Sequence, residues 1–216
     1  MPNAQLCELA VILDRSGSMA SIKRDMEGGF ATFIAEQSKD PSPCVVSLYQ
    51  FDSTFETSYE ERPLSAASLE LVPRGSTALL DAMGKAITLI GERLKAKPES
   101  ERPGKVVVLV ITDGQENASR EWRREAVKAA VEHQREKYNW QFAFLGANLD
   151  SFSEAMSIGM RKAAAANFQA SAQGVSSGYG LLSSSLRDYR RGYGAGGQAC
   201  QSFNLTPEDE EKEKAP

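Results

Sequence analysis

Asp14, Ser16 and Ser18 place three oxygen-bearing side chains at alternate positions of the segment Asp14-Arg15-Ser16-Gly17-Ser18. Gly17 relaxes the turn, so the three can converge on one point. Carboxylate and hydroxyl oxygens without imidazole or thiolate suit a hard cation such as Mg²⁺, with Mn²⁺ or Ca²⁺ as alternatives, and not zinc or copper. Mg²⁺ retains several waters in a near-octahedral shell, so few direct protein ligands suffice. Alone, an aspartate at a strand end could equally be a helix cap. Two further segments repeat the chemistry. Gly75-Ser76-Thr77 precedes an amphipathic stretch and offers the Thr77 hydroxyl; Thr112-Asp113-Gly114 closes an apolar run and offers the Asp113 carboxylate.

The elements that must hold these residues are readable from hydrophobic period. Cys7 to Leu13 reads as a buried strand ending at Asp14. Val106 to Thr112 is apolar, β-branched and without alternation, as expected of a strand buried on both faces of a parallel sheet. Val45 to Asp52 and Phe55 to Tyr59 are separated only by Ser53-Thr54, a link short enough for an antiparallel hairpin alone. Trp140 to Leu145 forms a further strand, followed by Gly146-Ala147-Asn148, and Ala163 to Phe168 an edge strand. Helical spacing runs from Ala20 to about Gln37, weakened at Gly28-Gly29. It recurs over Ala78 to Leu94, Trp122 to about Lys137 and Ser151 to Met156, and again through Leu182, Leu186, Tyr189 and Tyr193. The alternation predicts an α/β, doubly wound, mostly parallel sheet of about six strands, with one antiparallel edge strand and helices on both faces. Ligands of such sheets sit beyond the carboxyl ends of the strands. Asp14, Asp52, Asp113 and Asn148 all fall there, on one rim.

Asp14-x-Ser16-x-Ser18, Thr77 within Gly-Ser-Thr-Ala-Leu, and Asp113 within Ile-Thr-Asp-Gly together resemble the metal-ion-dependent adhesion site (MIDAS) of von Willebrand factor type A domains. Order and spacing both match, Gln50-Phe51-Asp52 is similar to the family's second-strand ending, and the resemblance extends over roughly residues 6 to 190, a common domain size. It implies that Ser16 and Ser18 bind the metal through their hydroxyls. Thr77 would bind directly in one state and through water in another, with Asp14 and Asp113 acting largely through water or alternating with Thr77. It further implies a Rossmann-like fold and a partner protein whose exposed Glu or Asp completes the metal's shell. Gly146-Ala147-Asn148-Leu149-Asp150, followed by Ala-rich sequence and a terminal helix, resembles the intracellular prokaryotic or phage members.

Composition narrows the field. With 25 basic and 29 acidic residues the net charge is −4, which argues against nucleic acid or an anionic membrane as the main partner. No segment approaches the roughly 20 apolar residues of a spanning helix, and no export leader is evident. Cys7, Cys44 and Cys200 are too few and too odd in number for a disulfide framework. Cys7 and Cys44 read as small buried hydrophobes in a reducing cytoplasm. Residues 1–196 are expected to form one domain, and 197–216 a glycine-led, acidic, disordered tail. His133 reads as a surface residue. Arg120, Arg123, Arg124, Lys128 and Arg135 read as a solvated basic helix face. Arg15 either guides an acidic partner or lies in solvent. Asp52 and Asn148 are either turn residues or supports of the site. No catalysis is expected. The rival reading is a Mg²⁺-dependent phosphohydrolase with Asp14 as nucleophile, which would need a neighbouring proton-transfer group and a phosphate-binding lysine. A third is a structural subunit whose metal only stabilises the loops.

Overall fold

A computed structural model describes residues 1–147, 150–192 and 202–205. Strand β1 (Asn3–Asp14) is followed by a 3-10 turn (Gly17–Ile22) and helix α1 (Lys23–Ser38). Strands β2 (Cys44–Phe51) and β3 (Phe55–Pro63) form the hairpin, and α2 (Leu79–Ala96) leads to β4 (Pro103–Thr112). The remainder is α3 (Arg124–Tyr138), β5 (Gln141–Ala147), α4 (Ser151–Ser157), β6 (Ala165–Phe168) and α5 (Ala172–Arg191).

The sheet order is β3-β2-β1-β4-β5-β6. Only the β2–β3 pair is antiparallel, as the short link between the two strands requires, and β3 is an edge. β1 pairs in parallel with β2 on one side and β4 on the other. The chain therefore winds outward to β3, then returns across β1 to build the second half. This reversal makes the carboxyl ends of β1 and β4 the switch point at which such sheets hold ligands.

Both faces of the central strands are dry. Leu9, Val11 and Leu13 of β1, with Val107, Leu109 and Ile111 of β4, pack under Met26, Phe30 and Phe33 of α1 and Tyr179, Leu182 and Leu186 of α5. Ala10, Ile12, Val108 and Val110 face the other way, under α2, α3 and α4. Alternate residues of one strand thus feed two cores, which explains the missing polar alternation in the sequence. Of the two glycines that weaken α1, Gly29 has a packing reason: a Cβ there would lie 2.4 Å from the Tyr179 ring, so the small residue lets α5 approach.

Several boundaries shift by a few residues from the sequence reading: β1 begins at Asn3, α1 at Lys23 and β4 at Pro103, and β3 runs on to Pro63. Two differences bear on packing. Trp122, expected as the first turn of a helix, precedes α3 and lies over Gly84 of α2. Residues 202–205 fall inside the stretch read as tail, yet Phe203 and Leu205 are buried in the core. Phe203 meets Tyr189 edge-on at 6.2 Å, and the Leu205 N–H donates to the Ala163 carbonyl at 2.8 Å. The acidic, glycine-rich composition around these two side chains hides them from a compositional reading. Asn148, Tyr193 and the stretch from Pro207 onward lie outside the described residues. Among the described residues no helix is long and apolar enough to cross a membrane.

Candidate metal centre

Asp14 is the last residue of β1, and Asp113 directly follows β4, its parallel neighbour. Adjacent parallel strands ending in register place the two carboxylates at the same rim. Asp14 is fully buried, and each of its oxygens already accepts one bond: the Ser16 N–H donates to Oδ1 at 2.6 Å and the Thr112 hydroxyl to Oδ2 at 2.6 Å. The first bond closes an Asx turn, so the local sequence Asp-x-Ser folds the loop back over the strand end. Ser16 and Ser18 hydroxyls lie 3.0 Å apart, and Ser18 donates to Asp113 Oδ1 at 2.6 Å. A chain of oxygens thus runs from the first loop to the third. Thr77 is buried beside them: a Cβ on Gly114 would sit 2.9 Å from Thr77 Oγ1 and 3.7 Å from Asp14 Oδ2. Asp14, Ser16, Ser18, Thr77 and Asp113 therefore share one site. It deepens from exposed Ser18 through half-buried Asp113 to buried Asp14.

The Thr77 loop is held by its neighbours more than by itself. The Gly17 N–H donates to the Gly75 carbonyl at 3.2 Å, and the Arg74 N–H to the Arg15 carbonyl at 2.8 Å. Gly75 has φ +66°, and a Cβ there would meet Ser53 Oγ at 2.9 Å, so glycine is needed on both counts. Asn117 clasps Thr77 twice: Thr77 N–H donates to Asn117 Oδ1, and Asn117 N–H to the Thr77 carbonyl, both at 3.0 Å. Further along, Glu116 accepts from the Leu80 N–H and Ser119 Oγ from the Asp81 N–H. Asp81 returns the favour by accepting the N–H groups of Arg120, Glu121 and Trp122. The start of α2 has Ala78 as N-cap, which offers no side-chain acceptor, so its orphan N–H groups are capped from the third loop instead. The sequence reading missed Asn117, Glu116, Ser119 and Asp81. The poor cap at Ala78 was the available signal.

Arg15 is neither solvated nor free to meet a partner. It is 5% exposed, donating from Nε to Asp52 Oδ2 at 2.9 Å and from Nη1 to Glu56 Oε2 at 2.7 Å. Arg74 Nε also reaches Asp52 at 2.9 Å, and Asp52 Oδ1 accepts the Thr54 N–H at 2.7 Å. Asp52 is thus both the hairpin's turn residue and the anchor of two site loops. His133 stacks edge-on with Tyr138 on α3, away from these loops in sequence and in element. The basic helix face is partly engaged, with Arg124 on Glu154 and Arg135 on the Gly159 carbonyl.

The electrostatics of the rim are uneven. Burial pushes the Asp14 carboxyl up to about 6; hydrogen bonds from Thr112 and Ser16 oppose this, and the negative charge of Asp113 adds to it. Asp113 is also raised by burial, against the Ser18 bond. No ion pair reaches either carboxylate among the described residues. The described residues hold no group of three or more His, Cys, Asp or Glu suited to a metal. The donor set is two carboxylates and three hydroxyls, all oxygen, which fits a hard divalent cation with a water-rich shell.

Compared by sequence alone, the chain matches no family model and no curated protein. Solved structures do match in fold. A von Willebrand factor type A protein from Catenulispora acidiphila aligns with TM-score 0.58 at 16% identity, over 88% of this chain and 44% of that one. The fold is that of a von Willebrand factor type A (VWA) domain. The ArnB paralog VWA2 of Sulfolobus acidocaldarius aligns with TM-score 0.51 at 20% identity, over 86% and 45%. Proximal thread matrix protein 1 of the mussel byssus aligns with TM-score 0.57 at 15% identity, over 83% and 45%, in a form with a zinc-occupied MIDAS motif. This chain spans less than half the length of these VWA-fold structures.

Proposed function

We propose that this VWA-fold chain is a divalent-cation-dependent protein-binding module and not an enzyme. One observation carries the reading: Asp14 and Asp113 are gathered with three hydroxyls at the sheet's switch point, and no basic side chain among the described residues neutralises them. Ser16, Ser18 and Thr77 would hold Mg²⁺, or Mn²⁺ or Ca²⁺, through their hydroxyls, with the Asp14 and Asp113 carboxylates behind them. Bound there, such a cation supplies an electrophilic centre with affinity for one further anion. Two carboxylates at most neutralise a divalent charge and hydroxyls add none, so an exposed Glu or Asp of a partner protein is the natural complement. The exposed Ser18 side of the site is the open approach.

The chain's own residues otherwise hold geometry. Thr112 and the Ser16 N–H fix the Asp14 carboxylate, and Asn117 fixes Thr77. The hydrogen-bonded residues around Asp14 include no histidine or lysine to shuttle a proton, which favours binding over hydrolysis. A cytoplasmic setting accords with the unlinked thiols of Cys7 and Cys44. Affinity capture from lysate in Mg²⁺, repeated in chelator and with Ser16→Ala/Ser18→Ala, tests the reading. The partner should be lost in both controls, and phosphatase and ATPase activities should stay at background. Metal-dependent turnover abolished by Asp14→Asn would establish the phosphohydrolase instead.

A further inference from the structure

Cys7 and Cys44 lie 37 residues apart in sequence and side by side in the sheet. They are register partners of the parallel β1–β2 pair. Neighbouring strands are about 4.8 Å apart, inside the roughly 4.4–6.8 Å Cα spacing of a disulfide. Register partners on parallel strands point to the same face, and both side chains belong to the core beneath α1 and α5. The Cys44 S–H donates to the Val45 carbonyl at 3.7 Å. Cys7 is buried, whereas Cys44 is only partly covered.

The two thiols are not equivalent. The Cys7 S–H holds the Cys44 thiol below the usual cysteine range, burial opposes this, and the Arg190 guanidinium adds to the lowering, with Glu8 acting against it. Cys7 is pushed well up by its bond to Cys44 and by burial, against the cations Arg190 and Lys105. Cys44 is the first residue of β2, directly after the Asp40–Pro43 connection, and the β1–β4 ladder is irregular between Asn3 and Cys7.

We infer that Cys7 and Cys44 form a peroxide-oxidisable dithiol, with Cys44 the attacking and Cys7 the resolving thiol. The Cys44 thiolate attacks one oxygen of hydrogen peroxide: an S–O bond forms, the O–O bond breaks, and hydroxide leaves and takes up a proton as water. Cys7 then gives up its proton and attacks the Cys44 sulfur: an S–S bond forms, the S–O bond breaks, and a second water departs. The two thiols lose two electrons together, and one peroxide becomes two waters. The thiolate, and not the thiol, is the nucleophile, which assigns the first step to the partly exposed member whose anion the Arg190 charge and the Cys7 S–H stabilise. The product would staple the starts of β1 and β2, the two strands whose far ends carry Asp14 and Asp52.

The test uses the folded full chain, treated with hydrogen peroxide and mapped by mass spectrometry without reduction. A peptide pair joining Cys7 to Cys44, lighter by two hydrogens, should appear, with loss of free-thiol labelling at both. Cys7→Ser should stop at a sulfenic acid on Cys44 that dimedone traps, and Cys44→Ser should leave Cys7 reduced. Thermal melts of both variants establish that they are folded. Sulfinic or sulfonic acid at Cys44 beside an untouched Cys7 in the wild-type chain would overturn the inference. So would a link to Cys200 in place of Cys7, unchanged labelling at both residues, or equal oxidation of Cys7 in Cys44→Ser.

Discussion

Asp14 and Asp52 stand at neighbouring strand ends, both nearly inaccessible, and the fold treats them oppositely. Asp52 receives two guanidinium groups, from Arg15 and Arg74, and its carboxyl is held below the usual range although burial pushes it up. Asp14 receives a backbone N–H and a hydroxyl, faces a second carboxylate, and is pushed up to about 6 by burial. Arg15, one residue from Asp14, turns its charge toward Asp52. A buried carboxylate completed by the fold acts as a fastener between loops. One left short of positive charge is poised to take it from solution.

The largest effect is expected at the completed carboxylate, Asp52. Asp52→Ala strands buried Arg15 with only Glu56 as partner and releases both site loops. Removing one member of a buried pair is strongly destabilising, so urea unfolding should show a loss of about 3 kcal/mol. A loss within error would mean that Asp52 is not the fastener. At the other end, a divalent cation at a hundredfold its dissociation constant should stabilise the wild type by about 2.7 kcal/mol. The gain should vanish in Ser16→Ala/Ser18→Ala; equal gains in both would place the cation elsewhere.

The two carboxyls should also titrate with opposite sign. A raised value in the fold means that the protonated acid is preferred there. Without cation, the Asp14 contribution to stability is therefore lost as pH rises from its ordinary value of 3.8 to about 6, and is constant above. Asp52, lowered in the fold, stabilises above its ordinary range and loses that contribution as pH falls through its depressed value. Carboxyl carbon NMR of chelated protein should give an Asp14 midpoint near 6. An ordinary Asp14 value would remove the electrostatic contrast. A smaller effect is expected at Gly75→Ala, where the left-handed backbone should make the variant less stable by about 1 kcal/mol in thermal melts. No change would show that the loop relaxes freely.

The fold was legible because the strands are unusually plain. Val106 to Thr112 and Cys7 to Leu13 each run apolar up to the residue that matters, and the Ser53-Thr54 link admits only an antiparallel hairpin. The five oxygen-bearing residues were legible because they sit in three short, self-announcing turns. What supports them was not. Asn117 reaches Thr77 across forty positions. Glu8 sits in an apolar run with no sign of its partner, Arg93 on α2, which meets it only once the helix packs on the sheet. Arg15 suits either of two surface roles in the sequence because nothing local reveals that Asp52 and Glu56 surround it. Cys7 and Cys44 each read as core residues, and only strand register makes them a pair. Contacts made by chain reversal at the switch point leave no trace in local spacing.

On the proposed reading, Asp14 and Asp113 form an incomplete carboxylate pair that one divalent cation completes. Calorimetric titration of Mn²⁺ or Mg²⁺ into chelator-stripped wild type and into Asp113→Ala tests it most directly. One binding event is expected in the wild type, and in the variant a weakening of at least about tenfold, as removal of one of two carboxylates from a hard-cation site requires. Equal affinity in the two proteins, or no binding to the wild type, would contradict the account.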